Sequence, residues 1–205
     1  MPHQLTSLGD IAEITNGVFI ASSKLNESQG GLPVLSVRTL NRNSIDVNEL
    51  DFVSRDKIDF DIERHLAATG DVLVASRSTN ISTGIVPAKL EGAVFNSTLI
   101  GIRPHVDAIH PRLLVAWMQS GLGRSHFDTL SQSTTMQMNV TVKELSNLPV
   151  PLFTPSEQAV LVAALEASDV AYENAIRAAT ARRDIALQLV TDVLTGTTQI
   201  NQKDN

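Results

Sequence analysis

Residues 148–158 read LPVPLFTPSEQ and mark the point at which the chain changes character. Three prolines fall within seven positions, and the forty residues 156–195 then contain neither proline nor glycine. Thr154-Pro-Ser-Glu157 has the spacing of a capping box with proline at the first helical position, and Gly196 supplies a stop. The pattern predicts one helix over residues 154–196, followed by a flexible tail at 197–205. At 1.5 Å per residue this helix would be about 60 Å long.

The predicted helix carries an apolar stripe in steps of four and three residues. A second stripe beside it, from Val160 to Leu189, is nearly as apolar, so the register stays open and more than one partner helix could pack here. A core helix of a bundle is the alternative interpretation, but the sequence contains no second long helix. We expect one long coiled-coil-forming helix whose interface consists of Leu161, Leu165, Tyr172, Ala175, Ala179, Arg182, Ala186, Leu189 and Val193.

Arg182 interrupts this stripe, and two interpretations of it stay open. Its side chain could run along the edge of the seam and place its charged end in water. Alternatively, it could set the register by pairing with an acidic residue of the opposite helix.

Residues 1–153 are predicted to form a mixed α/β domain, so that the chain as a whole has an α+β fold. Residues 32–40, 71–76 and 93–103 have the composition of strands, because they are rich in apolar and β-branched side chains. These strands would carry the core of the domain, and the polar stretches between them would form loops.

Three helices are predicted within this domain. One begins near Ser7, and a second begins at Thr141-Val-Lys-Glu144, which repeats the capping-box spacing. The third covers residues 110–121, with Pro111 at its first position and Gly121 as its stop. Gly121-Leu-Gly123 would accordingly be a C-cap and turn, and not a phosphate-binding loop.

The composition is that of a globular protein, with 42% apolar and 19% charged residues in a chain of 205. The absence of cysteine excludes disulfide bonds and thiolate metal sites. No apolar run approaches the roughly 20 residues that cross a membrane, and the N-terminus lacks the features of a signal peptide. We therefore expect a cytoplasmic protein that has no membrane partner.

The charges are distributed unevenly along the chain. The formal net charge of −6 by itself argues against non-specific binding of nucleic acid. Residues 46–63 carry seven acids against two bases, a balance of −5, whereas residues 65–145 carry six bases against five acids, a balance of +1. Charges are screened over about 8 Å at physiological salt, so an acidic surface does not prevent a distant one from contacting DNA. The charges permit a DNA-reading protein without indicating one.

Five stretches, taken in order, resemble specificity subunits of type I restriction-modification systems. They are LGDIAEITNG (8–17), LPVLSVRTLN (32–41), ATGDVLVASRSTNISTG (68–84), NSTLIGIRP (96–104) and NVTVKELSNLPVPLFTPSEQAVLVAAL (139–165). One departure is Phe153-Thr154, which stands where the family usually has a second proline pair. The chain also has one recognition domain and one helix where the standard subunit has two of each. It is therefore similar to half-size members, which act as homodimers.

The resemblance implies a non-catalytic subunit without a cofactor. The recognition domain would read one half of a bipartite double-stranded DNA sequence. The helix would pair with a second copy and seat the methyltransferase subunits, which methylate adenine with S-adenosylmethionine. A motor subunit, when present, cleaves DNA. Antiparallel pairing of two copies would give an inverted-repeat target with an unread gap.

Direct readout of DNA uses Arg or Lys for guanine and Asn or Gln for adenine, with Ser and Thr adaptable. Three polar loops carry these residue types, although ordinary turns are also rich in Ser, Thr and Asn. Arg103 and Arg124 are further candidates for phosphate contacts. With the family resemblance, we expect DNA contacts from Arg38, Thr39, Asn41, Arg42, Arg77, Ser78, Thr79, Asn80, Gln132, Ser133, Thr134, Thr135, Gln137, Asn139 and Lys143.

We recognise no catalytic or metal-binding constellation in the sequence. The nearest histidine pair, His105 and His110, lacks the spacing of metal ligands on a helix. Asn147-Leu-Pro-Val150 lacks the second proline and the aromatic residue of an adenine-methyltransferase motif. Trp117 is most simply a core residue. Two alternatives to a DNA-specificity subunit remain, namely an adaptor or inhibitor that does not read DNA, which the acidic balance favours, and an unrecognised enzyme.

Overall fold

The structure is a computed structural model, which describes residues 4–26, 30–58, 62–78, 81–105, 107–130 and 138–197. The chain divides into two compact units, residues 1–159 and 160–205. Most of the predicted tail, residues 198–205, lies outside the described residues. The strands found in the described residues are β1 (Leu5–Ser7), β2 (Ala12–Asn16), β3 (Leu25–Asn26), β4 (Leu32–Leu35), β5 (Leu40–Asn41), β6 (Ser44–Ile45), β7 (Asp51–Val53), β8 (Val72–Ala75), β9 (Arg77–Ser78), β10 (Thr83–Ile85), β11 (Val94–Phe95), β12 (Leu99–Pro104), β13 (Met138–Asn139) and β14 (Pro149–Pro151).

The α-helices in the same residues include the long helix that the sequence predicts. Each of the others has ten residues or fewer. They are α1 (Leu8–Ile11), α2 (Pro111–Gln119), α3 (Gly121–Leu130), α4 (Val142–Ser146) and α5 (Pro155–Leu194).

The first sheet is antiparallel, with strand order β10-β8-β12-β2. All four residues of β8 are buried, as the continuous apolar run of this strand predicts. Val72 is paired with Ile102 on one side and with Ile85 on the other. The expected strand at residues 71–76 is therefore confirmed and lies in the middle of the core.

The second sheet has strand order β11-β4-β7-β3, in which β11 runs parallel to β4 and the other pairs are antiparallel. The prediction of one strand over residues 93–103 is wrong, because that segment is divided between the two sheets. At the break, the Asn96 side-chain oxygen accepts the Thr98 backbone N–H at 3.0 Å. Such a local side-chain bond competes with strand pairing and turns the chain.

Phe95 lies where the chain leaves the second sheet, and it packs against Gly101 in the first. A Cβ atom at position 101 would lie 2.7 Å from the ring of Phe95, so only glycine gives the ring this space. Leu35, Leu73 and Leu99 belong to the same buried cluster. The two sheets therefore share one hydrophobic core.

The junction of α2 and α3 differs from the prediction. Gly121 does not end the helical segment but begins α3, after a break at Ser120. The Ser120 hydroxyl accepts the Gly123 N–H at 3.0 Å and donates to the Trp117 carbonyl at 2.7 Å. A Cβ atom at position 123 would lie 2.0 Å from that carbonyl oxygen. Gly123 thus allows a tight helix–helix junction where the sequence predicted a C-cap and turn.

Two capping boxes occur as the sequence predicts. At α4, the Thr141 N–H donates to the Glu144 carboxylate at 2.8 Å, and the Glu144 N–H donates to the Thr141 hydroxyl at 3.2 Å. At α5, the corresponding distances between Thr154 and Glu157 are 2.8 and 3.3 Å. Each box satisfies two N–H groups that a helix N-terminus would otherwise leave unpaired.

The first turn of α5 is also fixed by Gln158. Its side-chain oxygen accepts the His110 N–H at 2.8 Å, and its amide nitrogen donates to the carbonyls of Ala108 and Phe153 at 3.1 and 3.2 Å. At the other end, Gly196 takes a φ of +75°, as a helix-terminating glycine does. None of the forty residues of α5 is buried. No helix among the described residues is long and apolar enough to span a membrane.

Candidate nucleic-acid interface

An open polar cleft of about 770 Å³ lies at the ends of several strands of the first unit. Its lining is mostly composed of hydroxyl, amide and guanidinium side chains. We call it the polar cleft, and its lining residues are Val37, Ser76, Arg77, Ser97, Thr98, Asn139, Val140 and Thr141.

The pairing of β9 with β13 brings two predicted DNA-contacting residues together. In this antiparallel pair, Asn139 stands opposite Arg77, and Met138 stands opposite Ser78. Residues directly opposite each other place their side chains on the same face, with Cβ atoms about 5 Å apart. Arg77 and Asn139 are both exposed, so their polar groups are accessible to a ligand in the polar cleft.

The floor of the polar cleft is fixed by main-chain hydrogen bonds. The N–H of Val140 donates to the Ser76 carbonyl, and the N–H of Ser76 donates to the Thr98 carbonyl, both at 2.9 Å. The Thr98 hydroxyl accepts the Val37 N–H at 3.0 Å and donates to the Asn96 side chain at 2.5 Å. Four distant segments of the chain are therefore held together beneath the exposed side chains.

The turn at Val37–Thr39 gives its two candidate residues different roles. Arg38 is exposed, and its guanidinium forms an ion pair with Asp51 at 2.7 Å. Thr39 is fully buried, and its hydroxyl donates to the Ser36 carbonyl at 2.7 Å. In this structure Thr39 holds the turn and presents no surface for the base contact that the sequence suggested.

Asn41 and Arg42 lie at the exposed end of the hairpin formed by β5 and β6. The two turn residues, Arg42 and Asn43, have φ angles of +44° and +69°. Two-residue hairpin loops often need this conformation, but it costs roughly 1–2 kcal/mol for a side chain such as that of arginine. The turn also contacts β10, because the Ile85 N–H donates to the Asn43 carbonyl at 3.1 Å.

The other candidate positions are divided between described and undescribed residues. Lys143 is exposed in the first turn of α4, two residues after Thr141 of the polar cleft. The whole loop before β13, residues 131–137, and the start of the loop after β9, residues 79–80, lie outside the described residues. The candidates concerned are Thr79, Asn80, Gln132, Ser133, Thr134, Thr135 and Gln137.

Arg103, a phosphate candidate in the sequence, is occupied by a structural ion pair. Its Nε and Nη2 atoms donate to the two carboxylate oxygens of Asp71 at 2.9 and 2.8 Å, and Asp71 is buried. The hydrogen bonds to Asp71 raise the pKa of Arg103 above its ordinary value. Arg103 therefore ties β12 to the start of β8. No group of three or more acidic or histidine residues in the described segments is placed to hold a metal ion.

Four polar residues of the polar cleft escaped the sequence analysis, namely Ser76, Ser97, Thr98 and Thr141. The available signal is Asn96-Ser97-Thr98, three turn-forming residues inside the apolar run that the sequence analysis predicts as one strand. Thr141 was recognised only as a helix cap. Neither pattern by itself shows that these residues meet Arg77.

The first unit is a mixed α and β unit with an accessible polar cleft, and it is followed in the chain by a forty-residue helix without buried residues. The model of the type I restriction modification DNA specificity domain matches residues 3–179, and the chain belongs to this family. The resemblance drawn from the five sequence stretches is therefore confirmed. No curated protein sequence matches the chain at a significant level.

Solved structures support the same fold. A chain from a study of complex assembly and conformational transition of the type I R-M system is 22% identical, with a TM-score of 0.62 over 91% of this chain and 43% of that one. The HsdS subunit from Thermoanaerobacter tengcongensis is 22% identical, with a TM-score of 0.58 over 80% and 36%. A type I S subunit from M. genitalium is 12% identical, with a TM-score of 0.55 over 94% and 46%. The chain spans less than half the length of each, and the α+β fold prediction is confirmed.

Proposed function

We propose that this chain is the DNA sequence-specificity subunit of a type I restriction-modification enzyme and that it reads one half-site of a bipartite target. The observation that carries this proposal is the opposed pair Arg77 and Asn139 at the polar cleft. Arginine matches the O6 and N7 acceptors of guanine, and asparagine matches the N6 and N7 groups of adenine. Two such side chains on one face can read adjacent base edges in a major groove.

The exposed residues of α5 support the second part of the proposal, that this helix pairs with a like helix. Six large side chains, spaced 11, 4, 11, 3 and 4 residues apart, fall on one side of a helix with about 100° per residue. These are Leu161, Tyr172, Ile176, Leu187, Val190 and Leu194. We assign this side to a second copy of the chain.

A shorter apolar stripe lies on another side of α5. Val160, Ile185 and Leu189 are 70%, 69% and 56% exposed. We assign it to the methyltransferase subunits, which would carry out adenine methylation, with a motor subunit cleaving DNA where one is present. None of the nine interface residues that the sequence suggested is buried; among them, Leu161 and Tyr172 lie on the longer stripe and Leu189 lies on the shorter one.

Two copies paired antiparallel would be related by a two-fold axis, and their target would be an inverted repeat with an unread gap. A helix of about 60 Å is long enough for half-sites that are one DNA turn, about 34 Å, apart. Because the chain has a net charge of −6, we expect the isolated dimer to bind DNA weakly. Basic surfaces of the methyltransferase subunits would complete the DNA-binding channel. Such a complex would act in the cytoplasm.

The test is selection from a random pool of DNA duplexes by the chain co-expressed with its methyltransferase subunit. The wild-type complex should enrich one bipartite motif. Arg77→Ala and Asn139→Ala should each lose discrimination at one position of the half-site, by roughly 5-fold to 100-fold, as expected for a bidentate base contact. Arg55→Ala is the matched control, because Arg55 is exposed but does not line the polar cleft.

Two outcomes would contradict the proposal in different ways. Full discrimination by the Arg77→Ala complex would remove Arg77 from the base-reading residues. The absence of any enriched motif, in a complex that still contains the methyltransferase subunit, would instead support the alternative function. That alternative is an adaptor or inhibitor of the same architecture that does not read DNA, and the acidic balance of residues 46–63 favours it.

A further inference from the structure

The hairpin turn that carries Arg42 is held by a closed ring of side-chain hydrogen bonds. The Asn43 amide nitrogen donates to the Gln119 side-chain oxygen at 3.0 Å, and the Gln119 amide nitrogen donates back to the Asn43 side-chain oxygen. The Thr83 hydroxyl donates to that same oxygen of Asn43 at 2.9 Å and accepts from the Gln119 amide nitrogen at 3.1 Å. We call these three residues the amide ring.

The amide ring joins segments that are far apart in the sequence. Asn43 is in the hairpin turn, Thr83 is the first residue of β10, and Gln119 is the last residue of α2. Thr83 is 2% exposed, and Asn43 and Gln119 are half-buried. Polar groups at such depth are costly unless they are paired, so a closed ring specifies one position of the turn.

Close packing beneath the hairpin acts in the same direction. A Cβ atom at Gly84 would lie 2.7 Å from the Ile45 side chain and 2.9 Å from the Leu40 side chain, so the two hairpin strands press directly on the β10 backbone. Together with the bond from Ile85 to the Asn43 carbonyl, this contact leaves the turn little freedom to shift.

The turn conformation itself is unfavourable for Arg42, which has a φ of +44° and an exposed side chain. A hairpin turn of this kind needs a positive φ but does not need an arginine there, and two distant segments, β10 and α2, hold this exposed arginine's turn in place. Strain of this kind is typical of sites that are organised before a ligand binds.

We propose that Asn43, Thr83 and Gln119 are positioning residues, which hold the guanidinium of Arg42 in place for a contact with the DNA half-site. The proposal rests on the proposed function, and it adds residues that neither contact DNA nor line the polar cleft. The amide ring spares the turn an ordering cost when DNA binds, because the turn is already ordered in the free protein.

A double-mutant cycle tests this, with the chain in complex with its co-expressed methyltransferase subunit and with the duplex enriched by the selection described above. We expect Arg42→Ala to weaken binding roughly tenfold or more. Gln119→Ala should weaken binding several-fold. The Arg42→Ala/Gln119→Ala double variant should bind no more than about twofold less tightly than Arg42→Ala alone, because both substitutions act on the same contact, that of Arg42 with DNA. In the Arg77→Ala/Gln119→Ala double variant, by contrast, the fold-losses in affinity of the two single variants should multiply, because the two substitutions affect different contacts.

Asn43→Gly separates the amide ring from the turn conformation. Glycine accepts a positive φ freely but cannot join the ring, so this variant should lose as much affinity as Gln119→Ala. Urea unfolding followed by the fluorescence of Trp117, the only tryptophan, verifies that each variant is folded. Wild-type affinity of Asn43→Gly, or multiplied losses in the Arg42→Ala/Gln119→Ala variant, would overturn the inference while leaving the proposed function intact. If the selection enriches no duplex at all, the proposed function fails and this inference fails with it.

Discussion

The two units of the chain differ in the burial of their apolar residues. In the first unit, Phe95, Leu73 and Leu99 are at most 2% exposed, and the two sheets share their core. In α5, forty residues include none that is buried, and Leu194 is 81% exposed. Burying one large aliphatic side chain stabilises by about 1.5–3 kcal/mol. The first unit gains that stabilisation from its own residues, whereas the helix can gain it only from further contacts.

The difference shows that one chain can combine a unit with its own hydrophobic core and a helix that has none of its residues buried. Most helical stability in proteins comes from the packing of an apolar face and not from the intrinsic helix propensity of the residues. The capping box and Gly196 fix where α5 begins and ends, but they add only small increments of stability. The pairing proposed above would supply the packing that stabilises α5 over its forty residues.

The largest expected effect is a loss of stability in the first unit when a residue of its core is truncated. Phe95→Ala removes a buried ring that packs on Gly101, and it should lower the free energy of unfolding by about 3–5 kcal/mol. Urea unfolding followed by Trp117 fluorescence reports on this unit alone. The midpoint should not depend on protein concentration, and a loss below about 1 kcal/mol would show that the ring is not integral to the core.

How far the sequence alone predicts these features depends on whether the cause is local. The capping boxes that begin at Thr141 and Thr154 predict the starts of their helices, because this motif needs only four consecutive residues. The division of residues 93–103 between two sheets was missed, because the choice of strand partner is made by distant residues. Thr39 is a related case, since its polar character suggested exposure but its hydroxyl bonds its own turn.

The candidate site shows the same limit. Arg77 and Asn139 were both suggested by residue type, but their opposition across β9 and β13 is a long-range pairing that no local pattern encodes. The amide ring was missed for the same reason, because Asn43 and Gln119 are 76 positions apart. Residue chemistry was therefore readable from the sequence, and residue proximity was not.

A substitution in α5 should have an intermediate effect, which changes the pairing of two copies and leaves the stability of the first unit unaltered. Ile176→Asp places a charge on the longer apolar stripe and should weaken pairing of two copies by about 2 kcal/mol per dimer, roughly thirtyfold in the dissociation constant, with no change in the Trp117-monitored midpoint. Light scattering after size-exclusion chromatography would measure the loss of dimer. Asn174→Asp is the matched control, since a shift of two residues turns about 200° around the helix. A wild-type chain that is monomeric at all concentrations would contradict the pairing of copies.

The smallest expected effects come from removing the two capping boxes one at a time. Thr141→Ala and Thr154→Ala each remove one cap, at a cost of about 1 kcal/mol. Thr141→Ala should appear in the unfolding free energy of the first unit, because Leu145 of α4 is fully buried there. Thr154→Ala should instead appear as faster hydrogen exchange in the first turn of α5, with a smaller shift of the global midpoint. Equal shifts of the midpoint would show that the two units unfold together.

The attachment of Gln158 has an evolutionary consequence. All three of its partners, at positions 108, 110 and 153, are main-chain groups. Mutations that change those side chains leave this contact unaltered, provided that the backbone keeps its path. Side chains on the surface of the first unit can therefore change in evolution while the same glutamine continues to anchor the beginning of the helix.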